Sequence, residues 1–285
     1  MNWNTWLLEN EIPIRLSFFV GVFGLIGVWE IFFPRRTLDL HKYQRWLSNL
    51  GLAFLNNLLL RLLIPFTAVS VGIFAQNNGL GILGFFELPK IASVFFFFLL
   101  MDFIIYLQHK LFHIVPILWR VHRAHHADIE FDVSTGIRFH PLEIGLSMLI
   151  KTISIILMGP PVVAIIIFEV VLNATSMFNH SNIRIPKNTD CVLRFLVVTP
   201  DMHRVHHSTS TPFTMANYGF NLPWWDYLFG SYIAEPPKPH SEMDIGLKDF
   251  RELKNTNAII SILRMPFLKG NDAYMKERRQ ARTRF

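Results

Sequence analysis

"RVHRAHHADIE" (Arg120–Glu130) and "MHRVHHSTS" (Met202–Ser210) decide how this chain reads. Each carries a His, two other residues, then two adjacent His: His122, His125 and His126 in the first, His203, His206 and His207 in the second. On a helix, residues three apart share a face, while the next residue is turned by about 100°. Adjacent His therefore point to different places, which suits two metal sites served by one helix. A third pattern lies in "DFIIYLQHKLFH" (Asp102–His113). His109 and His113 are four apart on one face, and Asp102 and Tyr106 fall on that same face. Two His on adjacent turns can hold one metal ion, and a carboxylate one or two turns away can orient a ligand ring. Taken alone, this pair would equally suit an amphipathic helix at a membrane boundary. The three patterns together place eight His in fixed spacings, which argues against a purely structural role.

Two further His lie close by in sequence. His140, in "RFHPLE", precedes Pro141, and His180, in "FNHSN", follows the apolar region that begins there. His180 is expected to be a ligand; His140 is either a ligand or a boundary His bonding the start of the next helix. His41 and His240 have no partner at metal spacing. Neutral imidazole binds zinc, copper, nickel and iron, whereas magnesium and calcium prefer oxygen. Zinc sites take about four ligands, so nine or ten His suffice for two metals. With the single Cys, Cys191, no internal disulfide and no thiolate cluster is possible.

The rest of the chain says where such a centre sits. The 285 residues allow one large domain or two small ones. The composition is 51% hydrophobic with 27 Phe, and the mean hydropathy is positive, which points to membrane spans. The net charge of +6 comes from basic residues that flank apolar runs and crowd the C-terminal end. An anionic membrane surface is the simpler partner for them, and no nucleic acid is expected. No cleavable signal is evident after the first apolar run.

Four apolar regions follow: Leu16 to Phe33, closed by Pro34; Leu47 to Phe74, broken or kinked around Asn56, Asn57, Arg61 and Pro65; Ile91 to Leu107; and Ile144 to Phe178. The last is interrupted by "GPP" at 159–161, so it is one kinked span or a helical hairpin that returns to the same side. The segment before Ile12 carries Glu9 and Glu11 and no Lys or Arg, while the loop after the first run carries Arg35, Arg36, Lys42 and Arg45. Positive-inside bias then puts the N-terminus outside and the candidate ligands from His109 onward on the cytoplasmic side, with His180 and those after it staying there if the last region is a hairpin. The expected fold is an all-α membrane protein: transmembrane helices under a cytoplasmic, histidine-rich helical cap holding a dimetal site. The expected organisation is an N-terminal transmembrane region over 1–90, a catalytic domain over 91–235 and a basic tail over 236–285.

Taken in order, "HKLFH", "HRAHH", "NHSN" and "HRVHH", with "TPDMHRVHH" and "NYGFNLPWWDYLFGSY", resemble the fatty acid hydroxylase/sterol desaturase superfamily of membrane di-iron oxygenases, in its bacterial form. The resemblance runs from about Phe95 to Tyr232. It implies O₂-dependent hydroxylation or desaturation of a membrane lipid (a sterol, alkylglycerol, fatty-acyl chain or relative) at two iron ions, which zinc can replace in purified samples. The implied ligands are His109, His113, His122, His125, His126, His180, His203, His206 and His207, with His140. Asp102, Tyr106, Glu143 and Asn217 are expected to stand behind them. A bacterial inner membrane suits the resemblance better than an endoplasmic reticulum. The HxxxH at His109 leans toward sterol desaturases, methylsterol oxidases or alkylglycerol monooxygenases rather than fatty-acid 2-hydroxylases. Ser176 stands where some relatives carry another His. No cytochrome b5 segment is fused, so the electron donor (cytochrome b5, ferredoxin or similar) is expected to be separate.

Several other residues carry expectations. Asn217, Tyr218, Trp224, Trp225 and Asp226 line a lipid entrance, pin the metal cap or form an interfacial aromatic belt. Arg61 needs a partner, either Asp102 or a lipid phosphate. Glu143 and Asp132 either stand behind a ligand ring or are solvated loop charges, the latter the simpler reading for Asp132, and Lys276 to Arg284 read as a solvated helix or a lipid-surface contact. Two other functions fit the pattern: a membrane metal transporter, and a metal-binding membrane protein without catalysis.

Overall fold

Apolar runs of this length must satisfy their backbone internally, and a helix does so within one segment. A computed structural model, describing residues 3–38, 42–236, 238–252, 256–269 and 274, is accordingly mostly helical, with no strand among the described residues. His41 and the Lys276–Arg284 tail lie outside the described residues. The long elements are α1 (Trp3–Phe32), α2 (Lys42–Leu63), α3 (Ala68–Asn77), α4 (Lys90–Ile114), α6 (Pro141–Met158) and α7 (Val162–Asn179). Short helices α5 (Pro116–His126), α8 (Lys187–Leu193), α9 (Pro200–His206), α10 (Thr211–Thr214), α11 (Trp224–Leu228) and α12 (Ile259–Arg264) build the region at one end of the bundle. Among the described residues, five stretches are long and apolar enough to cross a membrane: Glu9–Phe32, Lys42–Asn77, Lys90–Ile114, Pro141–Met158 and Val162–Asn179.

The first span begins earlier than its apolar run. α1 starts at Trp3 and ends at Phe32, just before Pro34. The second run is broken as its sequence suggests. α2 stops at Leu63 before Pro65, and Thr67 starts α3 with a capping box shared with Ser70. The "GPP" region resolves as a hairpin. Gly159 closes α6 in the left-handed conformation (φ 61°), and α7 runs back beside α4. A side chain at Gly159 would collide with the Leu80 backbone, and Gln76 bonds the Pro160 carbonyl. The hairpin tip is therefore locked to the far end of α3.

Each helix of the hairpin has 18 residues, about 27 Å at 1.5 Å per residue, close to the roughly 30 Å hydrocarbon thickness. Its two open ends sit beside the clustered His, where α1 and α4 also end. The end of α1 is tied there by backbone bonds from Arg35 to Asn182 and from Arg184 to Phe33. Phe97, Met101, Ile105, Ile155, Ile165 and Phe168 fill the bundle core. Phe95, Phe96, Leu100, Leu107 and Leu111 on α4 point outward and are exposed, as lipid-facing residues would be.

Candidate metal centre

The α4 stripe set by the 3.6-residue period is buried along its length: Asp102, Tyr106, His109 and His113 all face inward. Val115–Pro116 turns the chain, with Pro at the first helical position of α5. That turn brings His122, His125 and His126 against the end of α4. α9 is capped by Thr199, whose hydroxyl accepts from Met202 N, and it delivers His203, His206 and His207 from the other side. His180 enters from the end of α7.

These nine His form two groups. His109, His113, His122, His126 and His206 make one; His125, His180, His203 and His207 make the other. Within each group the ligand atoms lie within 4.8 Å of one another. Each adjacent pair is split between groups, His125 from His126 and His206 from His207, but so are the pairs three apart; the residues that share a group are four apart, His122 with His126 and His203 with His207.

The ring tautomers show what these nitrogens are for. Nδ1 of His109 donates to Tyr218 O at 2.8 Å, that of His125 to Arg138 O at 3.1 Å, that of His180 to Ser176 O at 2.7 Å and that of His206 to Ala216 O at 2.6 Å. A carbonyl only accepts, so each Nε2 is left as a bare lone pair. Yet Nε2 of His180 lies 3.0 Å from that of His125, and Nε2 of His206 lies 3.1 Å from that of His109. Two lone pairs facing at that distance repel unless a cation lies between them. Two nitrogens each about 2.0–2.1 Å from one ion would be separated by about this much. The Nε2 atoms of His113 and His122 and both ring nitrogens of His126 and His207 are buried without a hydrogen-bond partner, at the expense of desolvation with nothing in return. The residues fit two metal ions.

The electrostatics agree. Burial, reinforced by neighbouring imidazoles, holds His125, His126, His203 and His207 well below the ordinary value, and burial brings His180 and His206 down to about 3. The rings are therefore neutral at physiological pH, the form that binds metal.

His140 stands outside both groups. Its Nδ1 accepts from Leu142 N at 3.1 Å and its Nε2 donates to Leu263 O at 3.2 Å. It caps α6, the boundary role, and has no lone pair left for a metal. Ser176 donates to Gly136 O at 2.6 Å, so this position supplies no ligand. Glu143 stands behind one of the clustered rings, accepting from Nδ1 of His122 at 2.7 Å.

The other expected supports act differently. Asp102 bonds neither a ligand ring nor Arg61, which is exposed. Its carboxylate accepts from Trp225 Nε1 at 2.8 Å and from the backbone of Asn221 and Leu222 at 3.3 Å each. Tyr106 pairs with Ser231 at 3.0 Å. Asn217, at φ 53°, donates to Met202 O and Ile233 O. It thereby fixes the turn between Ala216 and Tyr218, whose carbonyls orient His206 and His109. Asp226 accepts from Tyr218 N, Gly219 N and Ser231 Oγ. The "NYGFNLPWWDYLFGSY" stretch thus pins the histidine-bearing cap to α4.

Asp132 is fully buried, not solvated. With Asp128 it holds Arg45 of α2 at 2.7–2.8 Å, inside a network containing Asn49, Ser134, Thr135 and Arg138. Arg45 and the charges beside it sustain Asp128 at about 2 against its burial. This network was missed because its members are scattered from residue 45 to residue 138. The available signal was two acids four apart directly after "HRAHH". His240, which has no partner at metal spacing, lies 3.6 Å from Asp201.

A sequence profile of the fatty acid hydroxylase family matches residues 94–231. The chain is 30% identical over 159 residues to ornithine lipid hydroxylase OlsE of Rhizobium tropici, covering 56% of this chain and 46% of that one. It is 31% identical over 142 residues to alkylglycerol monooxygenase of Homo sapiens (50% and 31%) and 25% identical over 222 residues to methylsterol monooxygenase 2-2 of Arabidopsis thaliana (74% and 81%). The first two matches thus span less than half the length of those relatives. No solved structure matches the chain. All nine clustered His fall inside residues 94–231, the segment that matches the fatty acid hydroxylase family.

Proposed function

We propose that the protein is a lipid oxygenase, using two iron ions, O₂ and electrons from a separate donor to hydroxylate or desaturate a membrane lipid. The observation that carries this reading is the pairing of bare imidazole nitrogens, His125 with His180 and His109 with His206, at the open end of an apolar bundle. The proposed ligands are the five His of one group and the four of the other. The irons, when bound, would supply O₂ activation. In hydroxylation one oxygen atom enters a C–H bond and the other leaves as water, with two electrons and two protons from outside; desaturation takes the same two electrons.

The protein's own residues arrange this chemistry. Four backbone carbonyls and Glu143 fix the ligand tautomers, so the rings need not reorganise when metal binds. Burial of all nine rings keeps bulk water from the centre. The apolar helices would deliver an acyl or sterol chain from the bilayer, with residues 91–235 as the catalytic unit. The relatives act on ornithine lipid, alkylglycerol and methylsterol by their names, and an amphiphile with a long apolar part is the class shared by those three.

The test is lipid profiling of the host with and without the gene, together with the metal content of the purified protein. A product heavier by one oxygen atom or lighter by two hydrogens, with about two irons per chain, is expected. Two tightly held zinc ions with no change in lipids and no O₂ uptake would favour a structural metal protein instead. The same reading puts the metal end in the cytoplasm, so a reporter before Asn4 should read external and one after Phe285 cytoplasmic. Matching signals would reject that orientation.

A further inference from the structure

Of the five His in the larger group, His113 is oriented by a residue far outside the family segment. Its Nδ1 lies 3.0 Å from the hydroxyl of Tyr274. That hydroxyl donates to Met215 Sδ at 2.8 Å. Nε2 of His113 meets no acceptor, so the proton of the neutral ring sits on Nδ1 and the Tyr274 hydroxyl accepts it. His113 then leaves its buried Nε2 bare. The arrangement repeats what carbonyls do for His109 and His206 and what Glu143 does for His122 in the same group.

Tyr274 is held for this task. Its ring stacks on Trp119 with centroids 3.9 Å apart, and Trp119 in turn lies 5.0 Å from the His113 ring. The chain leading toward it is clamped to the histidine-bearing elements. Arg138 donates to Thr256 O, His140 to Leu263 O, and Arg123 to the carbonyls of Met265 and Leu268. Those three side chains come from the "HRAHH" helix and the loop after it. Residues 256–268 are therefore built onto the metal end.

We propose that Tyr274 is a positioning residue that completes the five-His site by fixing the tautomer and orientation of His113, so that a segment beyond the family domain tunes one metal of the two. This rests on the two-metal reading above. The nitrogen it would free for the metal is on this chain, and the ring that Tyr274 meets, His113, belongs to the five-His group.

The experiment loads purified full-length protein and its Tyr274→Phe variant with Co(II) and follows absorption and release to a chelator. Phe keeps the stack on Trp119 and removes only the hydroxyl. The expected result is two Co(II) per chain in the unsubstituted protein. In the variant one of the two should be held about 10–100-fold more weakly, the usual effect of losing a group that orients a ligand, with its absorption band altered and the other band unchanged. The four-His site serves as the internal check on folding. Equal weakening of both sites would mean that Tyr274 only supports the fold and would overturn the proposal, as would two unchanged sites. A wild-type protein that takes up no Co(II) would overturn the two-metal reading and this one with it.

Discussion

Glu143 accepts the Nδ1 proton of His122 at 2.7 Å from the first turn of α6. A carboxylate at that place makes the ring more basic and sets which nitrogen faces the metal. Replacing Glu143 with Leu should weaken metal retention by about 10–100-fold. Glu143→Gln keeps an acceptor without the charge and should lose less. Metal content after dialysis against a chelator separates the two; equal retention in wild type and Glu143→Leu would remove Glu143 from the centre.

His140 and His180 resemble each other in sequence and should behave oppositely. His180→Ala removes a bare nitrogen from the four-His group and should abolish turnover, with one metal lost. His140→Ala removes a helix cap, costing about 0.5–2 kcal/mol, and should retain both metals. A His140→Ala protein lacking one metal would restore it to the ligand set.

The metal-free protein should be sensitive to acid. The folded-state values of His180 and His206 are depressed to about 3 from an ordinary 6.5. The unfolded chain therefore binds more protons throughout that window, and stability is full above pH 6.5. As pH falls from 6.5 toward 3, each of the two should remove about 1.4 kcal/mol per pH unit. Asp128, depressed to about 2 from 3.8, adds a loss only below pH 4. Unfolding midpoints of metal-free protein against pH would show this slope, and bound metal should move the onset to lower pH. A flat profile between pH 4 and 6.5 would contradict neutral buried rings.

Arg45 is fully buried between Asp128 and Asp132. Arg45→Ala would strand two carboxylates and should destabilise the protein by about 3–5 kcal/mol. The exposed pair Lys187–Glu235, at 3.8 Å, offers the contrast: Lys187→Ala should change stability by less than about 1 kcal/mol. Denaturation in detergent measures both.

Much of this protein was legible in its residue spacings. Helical period and the doubled HxxHH require that adjacent His serve different places, and they do. Hydropathy and Pro65 marked a broken second span, and the buried α4 stripe followed from residues spaced by three and four. Spacing along a helix is local, so it fixes which residues share a face but not what that face meets. Whether "GPP" kinked one span or closed a hairpin depended on Gly159 meeting the backbone at Leu80, far away in the sequence. His140 and His180 flank the same apolar region, and only packing showed that Leu263 and the α6 amide consume the first while the second faces His125. Asp102 lies on the ligand face, yet the loop at 221–225 reaches it before any imidazole does. Arg45 with Asp128 and Asp132, and Tyr274 with His113, are contacts across 83 to 161 residues. Such pairings depend on how the helices dock, which the tertiary structure alone decides.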